Sequence, residues 1–201
     1  MKIIITGFEP FAGASSNPSQ LVINELKQSR LSNVELITAV LPVEYELASE
    51  QLLQLISKNN PEVVIALGQA EGRTEISIER IAINLADAKI ADNGGDIKLN
   101  QEIYPNGASG YFTTLPVIEL IEKLRSSGFK ASQSLSAGSF VCNYIFYQMQ
   151  NALSNTSVKS GFIHLPLVPE QQGEFPGKPT MELSEMVSAI KLIIEELAKT
   201  N

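Results

Sequence analysis

The chain has 201 residues, of which 44% are hydrophobic, and carries a formal net charge of −7. This length and composition are typical of a globular protein, and we expect residues 1–201 to form a single domain. The negative charge argues against nucleic acid and anionic membrane surfaces as partners. No apolar run reaches the roughly 18–20 residues of a membrane span, and the first residues do not resemble a signal peptide. With one cysteine there is no internal disulfide, and we expect a cytoplasmic protein.

Short apolar runs alternate with amphipathic stretches along the first third of the chain. Asn17 and Pro18 have the residue types of a helix cap and a first helical position, and a second helix is predicted from Tyr45 to about Asn59. Alternating strands and helices are typical of an α/β protein with a parallel sheet. The strands predicted here are Lys2–Thr6, Val34–Leu41 and Val63–Leu67.

The next apolar stretch, Ile76–Ala88, contains a change of phase. Apolar residues up to Ile78 share one face of the predicted strand, whereas those from Ile81 onward share the other. A slip in a period of two indicates a bend or bulge, and bulges often lie beside functional sites. Glu79, next to Arg80 at the break, is therefore a candidate site carboxylate. The alternative is a surface ion pair.

The second half begins with a long polar segment, residues 87–111, for which a lid or a subunit contact is predicted because long connections are usually functional or mobile. The elements predicted beyond it are a helix from Leu115 to about Ser127, strands Lys130–Leu135 and Val158–Leu165, and a helix capped by Thr180 that ends near Lys199.

Cys142 and His164 are the only cysteine and the only histidine of the chain. Apolar residues spaced by four from Val141 onward predict a helix with Cys142 in its first turn. A helix N-terminus and a nearby imidazole both favour a reactive thiolate. The alternative is a buried cysteine that packs as a small hydrophobic side chain. One histidine and one cysteine do not supply a zinc ligand set, so neither a metal nor a cofactor is expected.

Several of the chemically interesting residues fall at or just beyond the ends of predicted strands, where ligands of open α/β sheets bind. They are Phe8, Phe11, Gln69, Cys142 and His164. Phe8 and Phe11 either cover the end of the core or form an apolar pocket.

These positions support a thiol-dependent acyl transfer. Cys142 would attack a carbonyl, His164 would carry the proton, and Glu79 would orient the imidazole ring. Backbone N–H groups at the start of the cysteine helix would stabilise the oxyanion.

Nine motifs, in order along nearly the whole chain, resemble the pyroglutamyl peptidase I (pyrrolidone-carboxylate peptidase) family. The resemblance implies a three-layer α/β/α fold with a mostly parallel, twisted central sheet, a Glu79–Cys142–His164 triad, removal of N-terminal pyroglutamyl residues from peptides, and a cytoplasmic homotetramer. The motifs are Thr6-Gly7-Phe8-Glu9-Pro10-Phe11, Asn17-Pro18-Ser19, Leu41-Pro42-Val43, Gly72-Arg73-Thr74, Glu79-Arg80-Ile81-Ala82-Ile83-Asn84, Asp92-Asn93, Val141-Cys142-Asn143, Phe162-Ile163-His164-Leu165-Pro166 and Pro169-Glu170-Gln171.

The resemblance also implies a substrate pocket for the pyroglutamyl lactam. Its apolar face would lie between Phe8 and Phe11, and its polar atoms would meet Asn17 and Gln69. Such a site would reject proline, which has no ring carbonyl, because the polar groups of the pocket would stay unpaired.

Three further positions complete the predicted site. Ile90 and Val141 match pocket-wall positions of the family, and Lys89 stands where members often carry arginine. A lysine keeps the charge but lacks the planar fork of a guanidinium group, so lower activity than in members with arginine is expected.

Two other functions remain open from the sequence. One is a glutamine amidotransferase-like amidase, which also uses cysteine, histidine and glutamate. The other is a catalytically weakened binding protein on the same fold, with Lys89 marking the loss of activity.

Overall fold

The computed structural model describes residues 1–199, so the last two residues of the predicted 1–201 domain lie outside the described part. The described strands are β1 (Lys2–Phe8), β2 (Glu35–Leu41), β3 (Val63–Gln69), β4 (Ile76–Glu79), β5 (Ile81–Ile83), β6 (Gly110–Phe112), β7 (Ala131–Ser134) and β8 (Lys159–Leu165). The helices are α1 (Pro18–Leu26), α2 (Tyr45–Asn59), α3 (Val117–Ser126), α4 (Val141–Leu153), α5 (Leu183–Lys199) and a 3-10 helix at Pro169–Gly173.

Six of the strands form one mixed sheet in the order β2-β1-β3-β8-β4-β7. Strands β2, β1, β3 and β8 are parallel to one another. Strand β4 runs antiparallel to β8, with Ser77 opposite His164, and β7 is parallel to β4. The mostly parallel sheet predicted by the family resemblance is therefore confirmed, with two strands reversed at one side.

Helices cover both faces of this sheet, as expected for three α/β/α layers. Odd-numbered residues of β8, such as Ile163, pack into a core with α1, α3 and α5. Phe162 faces the other way and packs into a second core with α2 and α4. Since side chains alternate along a strand, His164 shares the face of Phe162 and lies under the α2–α4 layer.

The predicted break beside Glu79 is confirmed. Strand β4 ends at Glu79, and after Arg80 the chain leaves the main sheet as β5. There β5 pairs antiparallel with β6 in a separate two-stranded sheet. The change of hydrophobic phase thus marks a strand that exchanges one sheet for another.

The helix cap predicted at Thr180 is wrong. Helix α5 begins at Leu183, and Thr180 instead forms a parallel β-bridge with Leu167. The amide of Met181 also donates to the Leu167 carbonyl. Extended backbone at Thr180 satisfies these hydrogen bonds and delays the start of the helix. No helix within residues 1–199 combines the length and hydropathy that crossing a bilayer requires.

Gly7 lies where β1 touches α1. A Cβ atom at this position would be 2.6 Å from the carbonyl oxygen of Ser19, which is backbone and cannot rotate away. We expect Gly7→Ala to lower the free energy of unfolding by about 2 kcal/mol, the usual scale for overpacking a rigid contact. Urea denaturation measures this change.

Gly173→Ala is the matched control, because a Cβ atom there has open space around it. Its unfolding midpoint should stay close to that of the unmodified protein. Equal stability of the two variants would contradict the close β1–α1 packing.

Candidate active site

The antiparallel pairing of β4 with β8 brings Glu79 to His164. Ser77 is directly opposite His164, so Glu79, two residues on, is its diagonal neighbour on the same face of the sheet. Glu79 Oε1 lies 2.7 Å from His164 Nδ1. Glu79 is 0% exposed and His164 is 4% exposed, so the alternative of a surface ion pair at Glu79 is wrong.

Arg73 places a positive charge against the same carboxylate. Its Nη2 lies 2.9 Å from Glu79 Oε1 and also donates to the carbonyl of Ser136 at 3.1 Å. Within residues 1–199, Glu79 Oε2 is buried with no hydrogen-bond partner. A buried carboxylate needs a positive charge beside it to offset its desolvation, and Arg73 supplies that charge. The sequence showed Arg73 only as part of a motif, and its ion pair was not predicted.

The His164 imidazole is held in its neutral form. Burial lowers the pKa of His164 below its usual 6.5, and this outweighs the opposite effect of Glu79; Arg73 also lowers it. A carboxylate only accepts hydrogen bonds, so Nδ1 carries the ring proton and donates a hydrogen bond to Glu79 Oε1. Nε2 is then left with a lone pair, which is the arrangement of a general base.

Cys142 occupies the first turn of α4, as predicted. Phe140 precedes the helix and makes no capping hydrogen bond through its side chain. Gly68 pairs in register with His164, and a Cβ atom built on Gly68 would lie 3.0 Å from Cys142 Sγ. The sulfur therefore lies above the strand position adjacent to His164, and only glycine leaves room for it there.

The prediction that the helix start favours a thiolate needs correction. Burial, with a smaller contribution from the negative charge of Glu79, raises the pKa of Cys142 to about 12. The cysteine's own backbone N–H and Arg73 act in the predicted direction but do not compensate. The free protein thus holds a neutral thiol and a neutral imidazole rather than a preformed ion pair.

A small, mostly apolar pocket is lined in part by the cysteine. Residues predicted for the site and found in its lining are Phe8, Phe11, Asn17, Gln69, Val141 and Cys142. Val43 and Phe140 also line it and were not predicted. The ring of Phe140 contacts that of Phe11, with 6.0 Å between centroids. The first loop (residues 9–17, between β1 and α1) and the start of α4 thus together form one aromatic wall.

Asn17 stabilises one side of this pocket through hydrogen bonds of its side chain to Ser19 and Glu9. It is the N-cap of α1, where its Oδ1 accepts hydrogen bonds from the amide and the hydroxyl of Ser19. Its Nδ2 donates to the carbonyl of Glu9 at 3.0 Å. The side chain thereby ties α1 to the loop that follows Phe8 and carries Phe11.

Lys89 and Ile90 lie outside the pocket. Both are exposed, and the exposed fraction of Ile90 is 49%. After the chain leaves the main sheet, the Ala88 amide bonds to the carbonyl of Lys98, and this local pairing turns the following residues outward. Their contact with a substrate remains a prediction.

The polar segment after β5 supports the first loop. Asn93 Nδ2 donates to Glu9 Oε1 at 2.7 Å and to the carbonyl of Pro10 at 3.0 Å. Asp92 accepts a hydrogen bond from the Tyr45 amide at the start of α2. The Asp92-Asn93 motif was visible in the sequence, but its partners were not, because they lie far away along the chain.

Asn143 anchors the helix that carries the cysteine. Its side chain accepts from the Ile83 amide and donates to the carbonyls of Ile83 and Leu85, all within 3.0 Å. The strand that leaves the main sheet at Glu79 thus fixes the position of the neighbouring Cys142. Within residues 1–199, no group of three or more His, Cys, Asp or Glu side chains is arranged to hold a metal ion.

The pKa of the thiol is directly testable. We expect the rate of Cys142 alkylation by iodoacetamide in the free protein to rise with pH through an inflection above the ordinary thiol value of about 8.5, because burial disfavours the thiolate. Arg73→Met should move the inflection higher, whereas Arg73→Lys, which keeps the charge, should move it less. An inflection at or below about 8.5 would contradict the burial argument.

Comparison with known proteins agrees with this geometry. A family model of pyroglutamyl peptidases matches residues 1–200. The chain is 41% identical to pyrrolidone-carboxylate peptidase 1 of Caldanaerobacter subterraneus over 201 residues, covering 99% of this chain and 98% of the relative. It is 40% identical to the pyrrolidone-carboxylate peptidase of Bacillus thuringiensis, covering 96% of this chain and 91% of the relative.

Solved structures show the same likeness. Pyroglutamyl peptidase I of Bacillus amyloliquefaciens superposes with a TM-score of 0.94 at 32% identity, covering 98% of this chain and 97% of that chain. A mutant pyrrolidone carboxyl peptidase of Pyrococcus furiosus gives a TM-score of 0.93 at 36% identity, covering 100% and 99%. The chain therefore belongs to the pyroglutamyl peptidase I family of cysteine peptidases.

Proposed function

We propose that Cys142, His164 and Glu79 form the catalytic triad of this peptidase, and that it hydrolyses the amide bond after an N-terminal pyroglutamyl residue. The observation that carries the proposal is the buried 2.7 Å contact between Glu79 Oε1 and His164 Nδ1, one strand over from Gly68, which Cys142 Sγ overlies. Cys142 also lines an apolar pocket. An isolated buried cysteine would need neither the carboxylate nor the pocket.

The proposed reaction begins with attack of Cys142 Sγ on the scissile carbonyl carbon. His164 Nε2 takes the thiol proton as the S–C bond forms, and the carbonyl electrons move to oxygen. The C–N bond then breaks, and the imidazolium gives its proton to the leaving amine, so that a thioester remains. Water attacks the thioester with Nε2 as base, and the C–S bond breaks to release pyroglutamate and the thiol.

The oxyanion of each tetrahedral intermediate is assigned to the start of α4. The first N–H groups of a helix have no intrahelical partners, and Phe140 supplies no side-chain cap here. The developing negative charge would meet these donors and the positive end of the helix dipole.

The pKa values of the pair explain why proton transfer should accompany attack. Burial raises the pKa of Cys142 and lowers that of His164, so a thiolate–imidazolium pair is unfavourable in the free protein. In the transition state the charge has moved on to the substrate oxygen, and the hydrogen bond that Glu79 accepts from Nδ1 stabilises the imidazolium. The thiol of Cys142 is therefore deprotonated only after the substrate has bound, as it attacks the carbonyl carbon.

The pocket suits a small neutral ring. Phe8, Phe11 and Phe140 supply apolar and aromatic walls, and Gln69 supplies an amide group among them. A proline ring would fill the same space, but it lacks the ring carbonyl. The amide of Gln69 would then stay unpaired, which weakens the binding of proline. Lys89 and Ile90 are proposed to contact the part of the peptide that extends beyond this pocket.

We also propose a cytoplasmic homotetramer. A single cysteine suits a reducing compartment. Association of copies would cover exposed apolar side chains, such as Leu135 at 68% exposure and Phe112 at 63%. Sedimentation velocity of the purified protein tests the oligomeric state. The partners proposed are thus further copies of this chain and peptides with N-terminal pyroglutamate, with no role for nucleic acid or membrane.

Substitution of the triad tests the proposed chemistry. Cys142→Ala and His164→Ala should each lower kcat for a chromogenic pyroglutamyl amide by at least about 10³-fold, because removing nucleophile or base removes the covalent route. Cys142→Ser, nearly isosteric, should stay folded and also be inactive at neutral pH. Circular dichroism of each variant checks the fold.

Prolyl and glutaminyl amides, tested side by side, complete the experiment. The proposal predicts turnover of the pyroglutamyl amide alone. Ammonia from glutamine would instead indicate an amidase, which the family assignment already disfavours. No turnover of any amide by the unmodified protein would favour the binding protein.

A further inference from the structure

Gln171 is a fully buried amide beside the pocket that the proposed reaction does not use. It lies in the 3-10 helix and is 0% exposed. Its Oε1 accepts from the backbone N–H of Val168, and its Nε2 donates to the backbone carbonyl of Ser16, both at 3.1 Å. A backbone N–H only donates and a carbonyl only accepts, so these two contacts fix which end of the Gln171 amide is oxygen.

The orientation of Gln171 in turn fixes that of Gln69. The second hydrogen of Gln171 Nε2 is directed at Gln69 Oε1, at 2.9 Å. Gln69 cannot turn its amide over, because its own NH₂ group would then face the NH₂ group of Gln171. Within residues 1–199, Gln69 Nε2 has no hydrogen-bond partner, and it is not among the fully buried unpaired atoms. Since Gln69 lines the pocket, this NH₂ group is an unpaired donor on a pocket-lining side chain.

We propose that Gln171 is a positioning residue that locks the Gln69 side chain with its NH₂ group toward the pocket, so that the site selects a ring that carries a hydrogen-bond acceptor. This inference rests on the proposed function and names the atom that reads the lactam. A lactam carbonyl accepts the hydrogen bond, whereas a ring methylene leaves the donor unpaired. A Gln69 amide free to rotate would offer a donor or an acceptor with similar ease and would discriminate less.

Two substitutions separate orientation from packing. Gln171→Met keeps the volume but removes the lock, and we expect kcat/KM for a pyroglutamyl amide to fall about tenfold, the scale of one net hydrogen bond. Gln171→Glu, when ionised, places an acceptor against Gln69 Oε1 and favours the inverted amide. That inversion sets an oxygen against the lactam carbonyl, and we expect a loss of about 100-fold, mainly in KM.

Gln150→Met is the matched control. Gln150 is another buried glutamine, and it bonds to the carbonyl and hydroxyl of Ser160 at 2.9 and 3.2 Å, away from the pocket lining. The Gln150→Met variant should lose about as much stability as Gln171→Met, without a change in the preference for the pyroglutamyl ring. If the Gln171 variants fail to fold, Gln69→Glu serves instead: it leaves an acceptor for Gln171 but replaces the donor in the pocket, and it should lose about 100-fold.

Binding of 2-pyrrolidone, followed by ligand-detected NMR, makes the test independent of catalysis. The unmodified protein and Gln150→Met should bind this lactam equally, and Gln171→Glu at least about tenfold more weakly. Absence of turnover by the unmodified protein would refute the proposed function, while the lactam titration would still decide the role of Gln171. Unchanged lactam affinity and kcat/KM in folded Gln171 variants, or an equal loss in Gln150→Met, would overturn the inference.

Discussion

The hydrogen bond between Glu79 and His164 joins two strands that run in opposite directions, and the site is arranged around it. The two residues are 85 positions apart, and only the antiparallel pairing of β4 with β8 sets them on one face. A carboxylate with no exposed surface is costly, and Arg73 offsets part of that cost at 2.9 Å. Where β4 ends, the chain leaves the sheet, and β5 then anchors the cysteine helix through Asn143. One strand end thus positions both the acid and the nucleophile.

Burial has opposite effects on the two reacting groups and so defines the resting state. It raises the pKa of Cys142 and lowers that of His164, so both are neutral before substrate arrives. A neutral thiol in an apolar pocket is protected from adventitious oxidation, which proceeds through the thiolate. The same dry surroundings strengthen each hydrogen bond that forms once charge develops on the substrate.

Local patterns in the sequence predicted much of this structure. The buried strands, the Asn17 cap, the break beside Glu79 and the place of Cys142 all follow from periodicity and cap chemistry within a few residues. Long-range pairing was beyond such patterns, so the Arg73 ion pair and the Gln171–Gln69 contact appear only in the fold. The thiol pKa was misjudged because a helix terminus is visible in a sequence, whereas the depth of burial is not. The helix cap predicted at Thr180 is wrong for a similar reason, since the backbone of Thr180 forms a β-bridge with Leu167 instead.

The tautomer of His164 tests the central claim most directly. His164 is the only histidine of the chain, so a ¹⁵N-labelled sample gives one imidazole in its NMR spectrum. With Glu79 as acceptor, the neutral ring should carry its proton on Nδ1, with a downfield, slowly exchanging N–H, and Nε2 should show the shift of an unprotonated nitrogen. A neutral ring protonated on Nε2, or one that averages rapidly between the two tautomers, would contradict the account. Nε2 would then have no lone pair for the thiol proton, or Glu79 would not hold the ring in one tautomer.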